Sequence, residues 1–442
     1  MNADVAMIKT AAETALAQAY LKARTRLPGD DAIAAQREAA FDLFARQGLP
    51  HRRVEEWKYT DLRALMREAK PLAAPPDAAA KECAKAAGAL LGDVETRRLV
   101  FVDGAFVPEL SDTAGLEAGL TVQSLAAALS DGDATLAAHL GKVAPANDVA
   151  VALNTALMGD GALIRIVADS VIERPLHLLF VASPRPTARF VRSLVVVEAG
   201  ARAMLIESHE GPAATEYQVS AALEMFVGDR AHVDHVKLIG EGSEALHVST
   251  LAAAIGARAR FNTFTFAAGG VVVRNQLFLK FDGAETVVGI GGASLINGTQ
   301  HADTTLVVDH AARGCQSREM FKTVLDDEAH GVFQGRIIVR HGAQKTDAKM
   351  MTQALLLSER AEADNKPELE IFADDVQCGH GATAGALDDE LKFYLMARGI
   401  PRAEAEALLI QAFLGEAIEG IEHAGLREAL TEQVAAWLAA RG

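Results

Sequence analysis

Cysteine is scarce in this chain: Cys83, Cys315 and Cys378 are the three present among 442 residues. Scattered singly, they make no disulfide framework. Aromatic residues are few, at 5%, while half of all residues are apolar, so the core must be aliphatic, built from Val, Ile, Leu and Ala. Lys and Arg never gather into a block, and the formal net charge is −16. That excludes a nucleic-acid surface, which needs clustered cations to meet phosphate. The excess negative charge serves solubility instead. No run approaches the length of uninterrupted apolar residues that a membrane span requires. The opening "MNADVAMIKTAAETALAQAY" has acidic residues where a secretion signal needs a basic start and an apolar run. A cytoplasmic protein is expected.

The signatures of common catalytic machines are missing as well. Without a G-x-x-x-x-G-K-S/T phosphate loop, the chain is not expected to hydrolyse ATP by itself. H-E-x-x-H and G-x-S-x-G do not occur, which removes the simplest metalloprotease and α/β-hydrolase readings. Glycine clusters such as "GIGGAS" and "GHGATAG" lack the strand-then-helix context of a dinucleotide loop.

What is present falls into three parts. Near the N-terminus apolar positions recur at three and four, and "DDAIAAQREAAFDLFARQG" opens on capping aspartates and closes at Gly48, with Pro50 beyond. "PLAAPPDAAAKECAKAAGA" then reads as a tether, completing an N-terminal helical domain and linker over residues 1–95. "RRLVFVDGAFVPEL" predicts a hairpin turning at Asp103-Gly104. Residues 121–160 are ambiguous, with helical spacing in "VQSLAAALSDGDATLAAHL".

From about Leu163 to Thr383 the pattern becomes short β-type runs, such as "FVRSLVVVEA", "HVDHVKLIG" and "VVVRNQLFLKF". Glycine followed by a small or polar step recurs at Gly200, Gly228, Gly256, Gly283 and Gly342. The early steps are about 28 residues and the last gap is about twice that, with "AARG" near its middle. Such a period predicts stacked coils, each a pair of strands with a tight turn, around a continuous aliphatic core. A β-sandwich also has many short strands, but its turns come without a longer period. A parallel β-helix over residues 96–383 is therefore favoured, with the hairpin and the mixed segment 96–162 at its start. Residues 384–442 return to helix: "LDDELKFYLMA" starts on Asp, Pro401 opens "PRAEAEALLIQAFLGEAIEGI", and "LREALTEQVAAWLAARG" is amphipathic. The expected class is mainly β, a parallel β-helix flanked by helical domains.

Two side chains stand out as metal-ligand types. In "DVQCGHGAT", Cys378 and His380 are two apart, and along a strand such residues share a face, so both could meet one metal or cluster. Gly379 and Gly381 permit close approach of another backbone. The pair has no second pair, although a closed zinc site or a cubane cluster needs four protein ligands or nearly four. Either other ligands come from elsewhere in the chain or from a second subunit, or Cys378 is a buried free cysteine beside an incidental histidine. The acidic groups Asp326-Asp327-Glu328 and Asp374-Asp375 offer a different reading, a β-helix carbohydrate-active enzyme with carboxylates on a groove. Acids in turns are the plainer account of them. His310, Cys315 and His330 lie close in sequence but read as packed or surface residues.

"EEWKYTDL", "SREMFKTVLDDEAHGVFQGRIIVRHGAQKTDAKMMTQALLLS", "ADNKPELEIFADDVQCGHGATAG" and "FYLMARGI", together and in this order, resemble the SufB/SufD family of iron–sulfur cluster assembly proteins. The resemblance covers nearly the whole chain and is loosest from about residue 65 to 160. "EEWKYT" and "CGHGATAG" look like the SufD branch; SufB-like chains are usually longer, with a different N-terminal region. The resemblance implies a right-handed parallel β-helix and a non-ATPase scaffold subunit of a SufBCD complex, supporting cluster assembly and iron acquisition. It implies pairing with SufB through the β-helix cores, and C-terminal helices presented to the ATPase SufC, whose closure would shift the SufB–SufD interface.

His380 matches the family histidine implicated in cluster formation at that interface, and Cys378 its neighbouring cysteine, with SufB supplying the other ligands. His380 carries more weight because a neutral ring nitrogen can bind iron, whereas Cys378 would have to be a thiolate. The resemblance further implies a transient iron–sulfur cluster shared with SufB and reduced flavin on the complex. Phe393, Tyr394 and Arg398 lie where the family contacts SufC, unless the two rings pack the bundle. A homodimer in which two copies complete one site is the remaining alternative. "EEWKYT" is read as a seam, with Trp57 and Tyr59 as packing anchors and no chemistry.

Overall fold

The computed structural model describes residues 9–441. Thr10 and Asp30 accept backbone N–H groups at the starts of helices Ala11–Ala23 and Asp31–Gln47, and the second helix stops where Gly48 takes a φ of 71°. Those are the capping signals that the sequence carries. With a third helix, Val149–Leu157, these two build an apolar cluster against one sheet at Ala188, Phe190, Leu246, Val248 and Val272. Arg37 pins the joint by donating to the carbonyls of Pro28 and Met158, each at 2.8 Å.

The body is a parallel β-solenoid of about eight coils. Strands alternate between a ten-stranded and a nine-stranded sheet, so that sheet neighbours are every second strand of the chain. Among the described residues, antiparallel strand pairs occur only at the start, where Arg97–Val102 meets Ala105–Phe106 and Leu120–Ser124 meets Ala162–Ile166. The first of these is the expected hairpin: Asp103 and Gly104 both have positive φ, 50° and 85°, as a type I′ turn demands. Register displays the period. Arg202, His232, Arg260, Val287, Gln316, Asp347 and Gln377 stack one above another, and subtracting neighbours gives coils of 27 to 31 residues.

Of the recurrent glycines, Gly200 holds a turn position, whereas Gly228, Gly256 and Gly283 do a different job. The left-handed position at each corner is held by Gly200, Arg230, Arg258, Glu285, Gly314 and Lys345. Gly228, Gly256 and Gly283 sit two residues before it, and a Cβ on them would come within 2.7, 2.6 and 1.9 Å of the preceding coil. Close stacking, not dihedral freedom, requires glycine there. Inward residues of both sheets form one aliphatic core from Leu99 to Ala373.

Two expectations change. The Pro- and Ala-rich stretch is docked and not a free tether: Leu72 bridges to Ala188, and helix Ala78–Ala84, capped by Asp77, packs Ala80 and Ala84 on Val100, Val102 and Leu179. Alanine loses no side-chain entropy when laid against a sheet, which favours docking over a loose linker. At the seam, Trp57 is buried beneath the Arg274 guanidinium at 3.8 Å, as an anchor should be. The second anchor is Thr60, fully buried and bonded to Asp303, whereas Tyr59 is only half-buried. The ambiguous segment before the first coil contains Leu125–Asp131 and Ala134–His139 in addition to Val149–Leu157.

The chain closes with helices Asp389–Met396, Arg402–Ile418 and Ala424–Ala440. The last two fold back over the ten-stranded sheet, packing Ile410, Leu414, Leu426 and Leu430 on Val236, Leu238, Phe264 and Phe266. The first two helices and the last two thus cover opposite sheets, while Ala78–Ala84 lies on the ten-stranded sheet with the C-terminal pair. The final coil, Glu362–Ile371 and Gln377–Gly385, is outermost in both sheets and contains no fully buried residue. Among the described residues, no helix is long and apolar enough to cross a membrane.

Candidate functional site

Cys378 and His380 lie on Gln377–Gly385, paired in parallel with Asp347–Leu356 so that Cys378 stands beside Ala348 and His380 beside Met350. Ala348 and Met350 belong to the lumen core, and Cys378 packs against its end. His380, two residues on, shares that inward face and is exposed at the mouth. On the opposite face, nothing lies within 4 Å of a Cβ placed on Gly379, while one on Gly381 would meet the Met351 methyl at 2.7 Å. A partner backbone therefore has room at Gly379 and not at Gly381, which is half of the close approach expected. Among the described residues the strand has a neighbour on one side only, leaving its other row of N–H and C=O groups available for pairing.

A groove of about 510 Å³ runs along this edge, lined by Glu319, Met350, Cys378 and His380 with Arg318 and Lys349. Glu319 is 3% exposed, and neither of its carboxylate oxygens is hydrogen-bonded. Burial drives its carboxyl up to about 8. The Cys378 thiol is also pushed up, by burial first and by Asp347 and Glu319 as well, against a backbone hydrogen bond at Ala348. The thiolate form of Cys378 is thus disfavoured in the chain alone. Among the described residues, clusters of three or more close His, Cys, Asp or Glu ligands lie elsewhere, so the pair is an incomplete set.

Residues 180–413 match the SufBD core domain of the SUF system for iron–sulfur cluster assembly, and residues 11–178 match the SufBD protein N-terminal region. The chain belongs to the SufBD family. An iron–sulfur cluster assembly SufBD family protein of Synechocystis is 33% identical over 420 residues, 92% of this chain and 91% of the relative. The iron–sulfur cluster assembly protein SufD of Escherichia coli is 31% identical over 395 residues, covering 88% of this chain and 89% of that protein. SufD of Bacillus subtilis is 29% identical over 294 residues, 64% and 65% of the two chains.

This SufBD chain exposes its second candidate region on Asp389–Met396. Phe393 is 72% exposed and Tyr394 53%, with Leu391 and Met396 exposed beside them. Neither ring packs the bundle. Arg398 lies over Tyr394, its guanidinium carbon 3.4 Å from the ring centroid, and donates to the Tyr394 carbonyl at 3.2 Å. Four large apolar side chains are thus left exposed around one short helix.

The acidic groups do not flank one groove. Asp326 and Glu328, in the turn after Gln316–Leu325, pair with Arg441 and Arg360, while Asp375, at the opposite corner of the coils, pairs with Lys345. Of the other three, His310 and Cys315 are both buried at the lumen, where His310 stacks on Phe281 and bonds Ser317, whereas His330 meets His301 on the outer face.

Sequence reasoning missed a polar cluster inside the lumen. Glu207, His209, His235, Lys237, Glu241 and His247 are all at most 6% exposed. Lys237 Nζ lies 3.3 Å from Glu207, His209 Nε2 2.6 Å from the same oxygen, and Tyr217 donates to Glu241 at 2.6 Å. Burial by itself would raise the Glu207 carboxyl, but Lys237, His209 and His235 hold it well below the usual carboxylate range. The signal was there as polar residues at alternate positions in "IESHE" and "HVDHVKL". Which face they occupy becomes known only with the register.

Proposed function

We propose that this chain is a non-catalytic, SufD-type scaffold subunit of a SufBCD complex that forms an iron–sulfur cluster across the end of its β-helix. The observation that carries this reading is an incomplete ligand pair on an edge strand: His380 and Cys378 face the lumen mouth on a strand with one open edge. A strand added by SufB would complete the backbone pairing and bring the missing ligands together. Pro367 within Glu362–Ile371 suits an edge position, and exposed Ile371 and Phe372 extend the apolar surface beside it. A site split between subunits opens when they move, which suits cargo that must be acquired as iron and then released. SufC would dock on Leu391, Phe393, Tyr394 and Met396, with Arg398 at the rim, and supply the ATP hydrolysis that this chain's lack of a phosphate loop denies it. Reduced flavin would be held by the assembled complex.

The test is anaerobic co-expression with SufB and SufC, comparing bound iron and sulfide for wild type, His380→Ala and Cys378→Ala. The complex should assemble in all three, with cluster content collapsing for His380→Ala. Full cluster in both variants would make the pair structural and end this reading. A second copy could occupy the same edge, since such a pairing is self-complementary; cluster bound by the chain purified without SufB would reveal it.

A further inference from the structure

The lumen holds a second set of metal-ligand side chains, remote in register from the edge pair. His209 projects inward from Arg202–Glu210, and His247 from Leu246–Ile255 in the facing sheet. Glu241 reaches in from the turn that follows His232–Gly240. One ligand atom from each of the three lies within 4.8 Å of the other two. His247 Nδ1 is 2.9 Å and His209 Nδ1 4.0 Å from the same Glu241 oxygen. Around a tetrahedral ion with bonds of about 2.1 Å, donor atoms stand roughly 3.4 Å apart. Small side-chain shifts would therefore seat all three.

The surroundings of His209 and Glu241 are those that orient metal ligands. The other ring nitrogen of His209 is 2.6 Å from Glu207 Oε1, and its ring stacks on Phe180 with centroids 4.7 Å apart. The second Glu241 oxygen accepts from Tyr217 at 2.6 Å, and the Tyr217 oxygen accepts from the Gly242 N–H at 2.8 Å. Nε2 of His247 is buried without a hydrogen-bond partner, so the cluster contains a nitrogen that its hydrogen bonds do not use, while His235 Nε2 stands 3.6 Å from Glu207. Glu207 already has Lys237 as its cation at 3.3 Å. Among the described residues Glu241 makes no direct Lys or Arg ion pair, Lys237 acting on it only at longer range, and a buried carboxylate is best held by a close cation.

We propose that His209, His247 and Glu241 form a divalent metal site inside the β-helix, of the two-histidine, one-carboxylate type that takes Fe(II) or Zn(II). Glu207 and Tyr217 act on it as positioning residues. Because all three ligands are buried, the ion exchanges slowly and is a resident part of the scaffold, unlike a cluster carried on the exposed edge.

To test this, the full chain is produced anaerobically with Fe(II) or, separately, with Zn(II), desalted, and its metal counted by elemental analysis. Wild type and a Cys378→Ala/His380→Ala double variant should each retain about one ion per chain. His247→Ala and Glu241→Gln should retain at least tenfold less. X-ray absorption at the metal edge should show imidazole and oxygen ligands without sulfur. If His247→Ala does not fold, the Glu241→Gln comparison and the wild-type spectrum still decide. Wild-type metal content in a folded variant, sulfur in the coordination shell, or no ion from either preparation overturns the proposal. The edge pair can fail its own test without affecting this one.

Discussion

Replacing Glu319 by Gln tests how the lumen mouth treats a charge. Burial raises this carboxyl from 4.5 to about 8 in the folded chain. Once unfolded and hydrated, the group ionises near 4.5 again, so between these values folding requires it to take up a proton. The unfolded chain then binds fewer protons than the folded one, and stability falls as pH rises. Each pH unit is worth about 1.4 kcal/mol. Across the interval from 4.5 to about 8, the cost grows to about 5 kcal/mol and stays level above it. Below 4.5 both states are neutral and the cost vanishes. Gln keeps the shape and cannot ionise, so it removes the dependence while leaving a polar group in the same place. Urea unfolding of both chains from pH 5 to 9, followed by tryptophan fluorescence, should show the Gln variant gaining about 1.4 kcal/mol per unit relative to wild type, then levelling off near pH 8. Parallel pH profiles would refute the reasoning and mean that Glu319 is hydrated or paired.

Arg192 and Glu224 form a fully buried ion pair at 2.6 Å, so Arg192→Ala strands a charge and should cost about 3 to 5 kcal/mol in denaturant unfolding. Gly283→Ala puts a Cβ 1.9 Å from the Ala257 nitrogen and should destabilise the chain by about 1 to 3 kcal/mol through overpacking. Gly379→Ala has open space and should leave the isolated chain's melting temperature unchanged while weakening pairing with SufB in a pull-down titration. Phe393→Ala, at a 72% exposed position, should leave unfolding within about 0.5 kcal/mol of wild type. In calorimetric titration with SufC the same change should weaken binding by about tenfold or more; unchanged affinity would move the docking surface elsewhere.

The sequence by itself determined whatever depends on a few neighbouring residues. Asp30 and Gly48 bound a helix, Asp103-Gly104 turns a hairpin, and Cys378 and His380 share a face, because capping, turn dihedrals and strand alternation are local. The coil period was legible too, since each coil must repeat the same corner. Even so, the reason for glycine at 228, 256 and 283 lay in the coil underneath and not in the turn. Tertiary structure alone decided the docking of the tether, the exposure of Phe393, the burial of Glu319 and the meeting of His209, Glu241 and His247 in the lumen. Each of these depends on which strand lies beside which across a coil of 27 to 31 residues, a distance over which propensity carries no information and only register and packing do.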